Sequence, residues 1–138
     1  MNFRNYSEAS YKAVNDKDSN GMQNALSKGF VRLNERFNWN TDKKETIEWC
    51  LESNFTMVDF SCYYENEELI VGSHNVIEPG APNSSVMFIA KIKDNKVISH
   101  QYLREFKKII IFNLIFQVFR KSNLIRVRLV FIVCNHWN

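Results

Sequence analysis

The chain has 138 residues, 45% of them hydrophobic and 24% charged, with a formal net charge of +3. That length can bury one core without disulfides, and the composition is ordinary for a soluble globular protein. The charge is divided: up to Phe106 there are 12 basic against 15 acidic residues, and from Lys107 onward six basic and no acidic ones. The domain before Phe106 therefore gives no electrostatic reason to expect nucleic acid.

In chain order, Met1 to Tyr6 shows no apolar run after its charge, so no signal peptide is expected. Ser7 and Glu8 open a helix through about Val14, with Ser7 as N-cap. Asn15 to Gly21 is a polar bend or loop. Met22, Ala25 and Leu26 are spaced as a helix that Gly29 stops. Phe30 to Leu33 reads as a short strand and Phe37 to Asn40 as a loop. Thr41 or Asp42 then caps a helix from Lys43 to about Ser53, with Glu45 in its first turns.

After Asn54 the hydrophobic period becomes two. Strands are expected over Phe55 to Tyr64, Leu69 to Ile77, Val86 to Ile92 and Val97 to Phe106, with a charged turn at residues 65–68 and a tight one at Lys93 to Lys96. Helices followed by an antiparallel meander define an α+β fold. The cysteines Cys50, Cys62 and Cys134 are odd in number and match no ligand spacing. They read as reduced thiols of a cytoplasmic protein and not as a disulfide frame or zinc site. No metal site, phosphate-binding glycine loop or nucleophile elbow is visible.

Ile109 to Phe119 and Leu124 to Cys134 are apolar runs, each shorter than the about 20 residues that span a bilayer. They read as a hairpin or helix pair, as a cationic segment lying on an anionic membrane surface, or as an extension that was never selected. A reading-frame shift near Lys107 would produce the abrupt break in composition. The domain expected from composition is thus residues 1–106, followed by a basic apolar tail over 107–138.

Three phrases within residues 5–106 resemble the nuclear transport factor 2-like superfamily and its SnoaL-like branch. They are Tyr11 to Asp18, Ile70-Val71-Gly72-Ser73-His74, and Met87 to Ile98 with its Asp94-Asn95-Lys96 turn. Asn95 stands where the family has Gly, and both residues tolerate the positive φ of a hairpin turn. The resemblance implies a cone: N-terminal helices packed on a curved antiparallel sheet, a cystatin-like α+β roll with a pocket between the layers. It also implies a small organic ligand, no cofactor, and a homodimer through the outer sheet face.

Alternation sets Val86, Phe88, Ala90 and Ile92 inward. The family's register sets Ile98, His100, Tyr102 and Arg104 inward as well, although Val97 and Leu103 compete for that side. His74 shares parity with Ile70, Gly72 and Val76, and Asp59 with Phe55, Met57 and Ser61. His100 and Tyr102 are the candidate catalytic residues, a proton carrier and a hydrogen-bond donor. Tyr11, Trp49, Asp59, His74 and Phe88 are the candidate ligand-binding residues. For each of them a plain packing or surface role is the competing reading.

The departures from the family carry equal weight. SnoaL-like cyclases commonly have a catalytic Asp where Tyr102 stands, and ketosteroid isomerase relatives have an oxyanion-binding Asp where Phe88 stands. Their general base falls at Asn34, which cannot act as a carboxylate base. Two functions follow: a small-molecule site, with an isomerase, cyclase or dehydratase type of reaction if it is catalytic, or a non-catalytic dimeric domain with a contact tail.

Overall fold

The computed structural model describes residues 1–106. The expectations for the tail lie outside them. Two helices, α1 (Phe3–Asn15) and α2 (Asn20–Ala25), lead into β1 (Leu26–Asn34) and β2 (Trp39–Asp42). Helix α3 (Lys43–Glu52) follows, then β3 (Thr56–Glu65), β4 (Leu69–Ile77), β5 (Ser84–Lys93) and β6 (Lys96–Phe106). The strands form one six-stranded sheet in the order β2-β1-β6-β5-β4-β3. Neighbours are antiparallel except β1 and β6, which run parallel. That pairing brings the helical half of the sequence onto the last strand.

Helix α1 begins earlier than the Ser7 cap implies. The Asn2 side chain accepts from the backbone N–H of Asn5, and Ser7 lies buried inside the helix. Tyr6, Ala9, Ala13 and Val14 form the buried stripe, at the spacing of one helix face. The Asn15 side chain then holds both backbone groups of Met57, each at 2.9 Å, and pins the end of α1 to β3. Helix α2 stops at Ala25, short of Gly29. Leu26 is already extended and pairs with Val97. Burial of Leu26 suits a helix or a strand equally, so spacing alone did not separate them. Likewise Trp39 to Asp42 is strand and not loop, paired with Val31 to Asn34.

Helix α3 carries a full capping box: Asp42 accepts from the Glu45 N–H, and Glu45 accepts from the Asp42 N–H. At the β5–β6 turn Asp94 and Asn95 have φ of 50° and 58°, the two successive positive values of a type I′ hairpin. The core is shared by the helices and one face of the sheet. Phe30, Leu26, Ile70, Val14 and Val97 are its most deeply buried large side chains, each stabilising by about 1.5–3 kcal/mol through loss of water contact.

Two bulges decide which residues face that core. In β6, Val97 pairs with Ile92 and Ser99 with Lys91, leaving Ile98 as an extra residue. The side-chain parity therefore changes within the strand. Val97 is buried, and His100, Tyr102 and Arg104 also point inward, opposite Ala90, Phe88 and Val86. Ile98 itself is not one of the inward residues, contrary to the uniform register expected. In β3, the step from Val58 to Ser61 matches only Asn75 to Ser73, and Asp59 sits at the bulge with φ 55°.

Candidate functional site

Between the helices and the inner face of the sheet lies a cavity of about 220 Å³. Its floor is the inward row of β4, β5 and β6: His74, Val86, Phe88, His100 and Tyr102. Helix α1 contributes Tyr6, α3 contributes Trp49 and Cys50, and β1 contributes Phe30, Arg32 and Asn34. The parallel register puts Arg32 beside His100 and Asn34 beside Tyr102.

Phe88 is the hub of the aromatic wall. Its ring stacks on His100 at 4.9 Å and 18°, and meets Tyr6 edge-on at 6.2 Å. It also stacks on Phe3 at 6.5 Å, while His74 packs between Phe88 and Phe60. Gly72 makes this possible. A Cβ there would lie 2.7 Å from the Phe3 ring, 2.9 Å from the Phe88 ring and 2.9 Å from the Ser61 carbonyl oxygen.

The hydroxyl of Tyr6 lies 2.8 Å from Nδ1 of His100. Burial raises the Tyr6 pKa, so the phenol keeps its proton. Among the described residues His100 is the only hydrogen-bond partner of that hydroxyl. With Tyr6 as donor to Nδ1 its phenolic proton has an acceptor, and the proton of a neutral imidazole then lies on Nε2. Burial, then the Arg32 charge, then His74 hold the His100 pKa well below its ordinary value. His74 is pushed down to about 4, by burial first and then by Arg32 and Arg104. Both imidazoles are neutral at pH 7. Nδ1 of His74 is buried without a hydrogen-bond partner among the described residues.

Tyr102 accepts from the Asn34 side-chain nitrogen at 3.0 Å. The orientation of that amide is fixed, because its oxygen accepts from the backbone N–H groups of Arg36 and Phe37. The Arg32 guanidinium carbon sits 3.9 Å from the centre of the Trp49 ring and 4.3 Å from that of Tyr102. Burial lowers the Arg32 pKa and raises the Cys50 thiol to about 11, so neither supplies a proton switch near neutrality. Among the described residues, no group of three or more His, Cys, Asp or Glu could hold a metal ion.

Of the expected residues, Trp49, His74, Phe88, His100 and Tyr102 converge on the cavity. Tyr11 does not: it is 42% exposed on the outer side of α1. It lies four residues from the inward-facing stripe position Ser7 but on the flank beyond it, where packing is not required. Asp59 does not line the cavity either. The β3 bulge turns it to solvent, where it accepts from Asn75 at 2.9 Å, and gives the inward position to Phe60. Tyr6 and Arg32 were missing from the expected site. The alternation Phe30, Arg32, Asn34 was the available signal for Arg32, and the stripe Tyr6, Ala9, Ala13 for Tyr6.

Solved structures share this architecture. A nuclear transport factor 2-like protein of unknown function from Cytophaga hutchinsonii superposes with a TM-score of 0.62 at 9% identity, over 76% of this chain and 91% of its own. The chain has the nuclear transport factor 2-like fold. A candidate ketosteroid isomerase from Kribbella flavida superposes at 0.65 with 7% identity, over 76% of this chain and 78% of its own. IdmH, a candidate polyketide cyclase from Streptomyces antibioticus, superposes at 0.62 with 9% identity, over 76% and 93%. At such identities the likeness establishes a shared fold and not a shared reaction. No family model and no curated protein matches the sequence. Among the described residues, no helix is long and apolar enough to cross a membrane.

Proposed function

We propose that this nuclear transport factor 2-like domain is a SnoaL-like small-molecule binder whose cavity holds a compact, largely apolar organic molecule. The observation that carries this reading is the convergence of Trp49, Phe88, His74, His100 and Tyr102 on one cavity between helices and sheet. Similar folds whose descriptions name an isomerase, a polyketide cyclase and an epoxide hydrolase lend it support.

If the site is catalytic, His100 and Tyr102 act on the substrate oxygen. With Tyr6 donating to Nδ1, His100 offers Nε2–H, and Tyr102 offers its phenolic proton. Two neutral donors suit a developing enolate or alkoxide, as in an isomerisation, cyclisation or dehydration that uses no cofactor. The cavity wall carries no Asp or Glu among the described residues, so a carboxylate base like that of the isomerase relatives has no counterpart in it. The domain is read as cytoplasmic.

Native mass spectrometry of protein purified from its own host tests the binding reading. A retained small molecule, with His74 and His100 resonances that move when it is stripped, is the expected result. No retained mass, together with no response of those resonances to any member of a neutral and acidic fragment panel, would overturn it.

A second reading rests on the opposite face of the sheet. Met87, Ile89, Leu103 and Val31 are exposed there at 56%, 40%, 40% and 43%, and Met87 and Leu103 are cross-strand partners. We propose that a second copy of the chain covers this row, making a homodimer. Sedimentation of the full chain and of Met87→Lys separates the cases: a dimer that becomes a monomer supports it, and a monomeric parent sinks it.

A further inference from the structure

Arg32 is a cation whose surroundings among the described residues are incomplete. Its guanidinium packs over the rings of Trp49 and Tyr102, which meets the charge in part but accepts no hydrogen bond. Among the described residues, no carboxylate lies within ion-pair distance of it and no acceptor takes any of its N–H groups. Arg104, on the same inner face, shows what completion looks like. Its Nε donates to Ser84 at 2.8 Å and its terminal nitrogen to Glu78 at 2.8 Å.

The rest of the wall has the same bias. Arg32, Arg36 and Arg104 line the cavity, and no Asp or Glu does so among the described residues. Tyr102 accepts from Asn34, whose amide is fixed from its other side, so the phenolic proton of Tyr102 is left over. No acceptor for it exists among the described residues. The Arg32 guanidinium and the Tyr102 phenolic O–H, which share an apolar cavity and lack acceptors among the described residues, define a site for an acceptor-rich, negatively charged group. Burial first, and the Arg32 charge after it, lower the pKa values of His74 and His100.

We propose that the ligand of this cavity is an organic monoanion, a carboxylate on an aromatic or apolar body, with Arg32 as its counter-ion and Tyr102 as its second donor. This rests on the reading of the cavity as a small-molecule site. A carboxylate fits better than a phosphate. Of the two cavity arginines without a carboxylate partner among the described residues, Arg36 is solvent-exposed, which leaves Arg32 to match one negative charge, and the wall holds no lysine and no glycine-rich run of backbone N–H groups. Aromatic rings from Phe88, Trp49, Phe60 and Phe55 supply the complement for the body of such a molecule.

The test titrates the full chain, labelled with ¹⁵N, with phenylacetate, phenylacetamide and toluene, and follows the Trp49 indole and Arg32 Nε–H signals. Phenylacetate is expected to bind about ten- to a hundredfold more tightly than the isosteric amide, the increment of a charge-assisted hydrogen-bonded pair. Arg32→Gln is expected to abolish the preference for the acid, bringing acid and amide to parity. Equal affinities in the parent chain overturn the proposal while leaving the cavity reading intact, as does binding of toluene or the amide alone. Failure of all three probes overturns both. Should Arg32→Gln not fold, the parent chain decides: the Arg32 Nε–H signal must shift with phenylacetate and not with the amide, and an unmoved signal refutes the assignment.

Discussion

Tyr6 and His100 are joined by a 2.8 Å hydrogen bond across a sequence separation of 94 residues, tying α1 to β6 inside the cavity wall. Replacing Tyr6 by Phe keeps the ring against Phe88 and removes only the donor. The cost is expected at about 1–3 kcal/mol, since Nδ1 of His100 is left without its partner. In the parent chain the ¹⁵N shifts of His100 should report a proton on Nε2, and in Tyr6→Phe a mixture of tautomers. The same tautomer in both would mean that Tyr6 does not set it.

Stability should fall as the solution is acidified from neutrality. His74 and His100 have folded-state pKa values below their ordinary value of about 6.5, His74 at about 4. His74 is neutral in the folded chain at pH 5 and His100 is shifted in the same direction, while the unfolded chain takes up protons there. The favourable contribution is therefore full above about pH 6.5 and is lost as the pH drops toward the folded-state values. Each imidazole adds up to about 1.4 kcal/mol per pH unit to that slope. Urea unfolding at pH 7 and pH 5 measures it. His74→Leu should be no less stable than the parent at pH 7, because the buried Nδ1 has no partner to lose, and should show a shallower acid slope. Parallel slopes would refute the role of His74.

Gly72→Ala should destabilise the fold by about 1–3 kcal/mol. One obstacle is the Ser61 carbonyl oxygen of the adjacent strand, which is backbone and cannot swing aside, and the others are the Phe3 and Phe88 rings. Thermal melts give the loss. The displaced Phe88 should also perturb the His100 ring resonances, which a loss confined to the strand pair would leave alone.

Tyr102→Phe preserves the ring beneath Arg32 but removes the acceptor of Asn34 and one donor to the cavity. A stability loss of about 1 kcal/mol is expected. Binding of an acceptor-bearing ligand should weaken by about five- to tenfold, measured by titration calorimetry. Unchanged affinity would take Tyr102 out of the ligand contact.

Much of the fold was legible because its signals are local. The β4 alternation Ile70, Gly72, His74, Val76 and the β5 alternation Val86, Phe88, Ala90, Ile92 follow a period of two with one buried face. The capping box at Asp42 and Glu45 is likewise written in adjacent residues. What was not legible depends on partners distant in sequence. The parallel pairing of β1 with β6 exists only once the chain has closed, and it is what places Arg32 in the cavity. Asp59 was misread for a related reason. Its parity with Met57 holds only in an unbroken strand, and the bulge that breaks it shows in the pairing with β4. Tyr11 stands on a helix that flanks the cavity, but on the exposed side of that helix.

The unpaired Ile98 has a consequence for how this chain can change. The stretch before it serves the interior through Val97, and the stretch after it serves the cavity through His100, Tyr102 and Arg104. Removing that single residue would restore a regular ladder, with Val97 opposite Ile92 and Ser99 opposite Lys91, and would put Val97, His100, Tyr102 and Arg104 on one parity. The imidazole, phenol and guanidinium would keep facing the cavity, opposite Ala90, Phe88 and Val86. A one-codon deletion would thus spare both the architecture and the chemistry, so two homologues differing only in length at this point would be expected to keep the same cavity row.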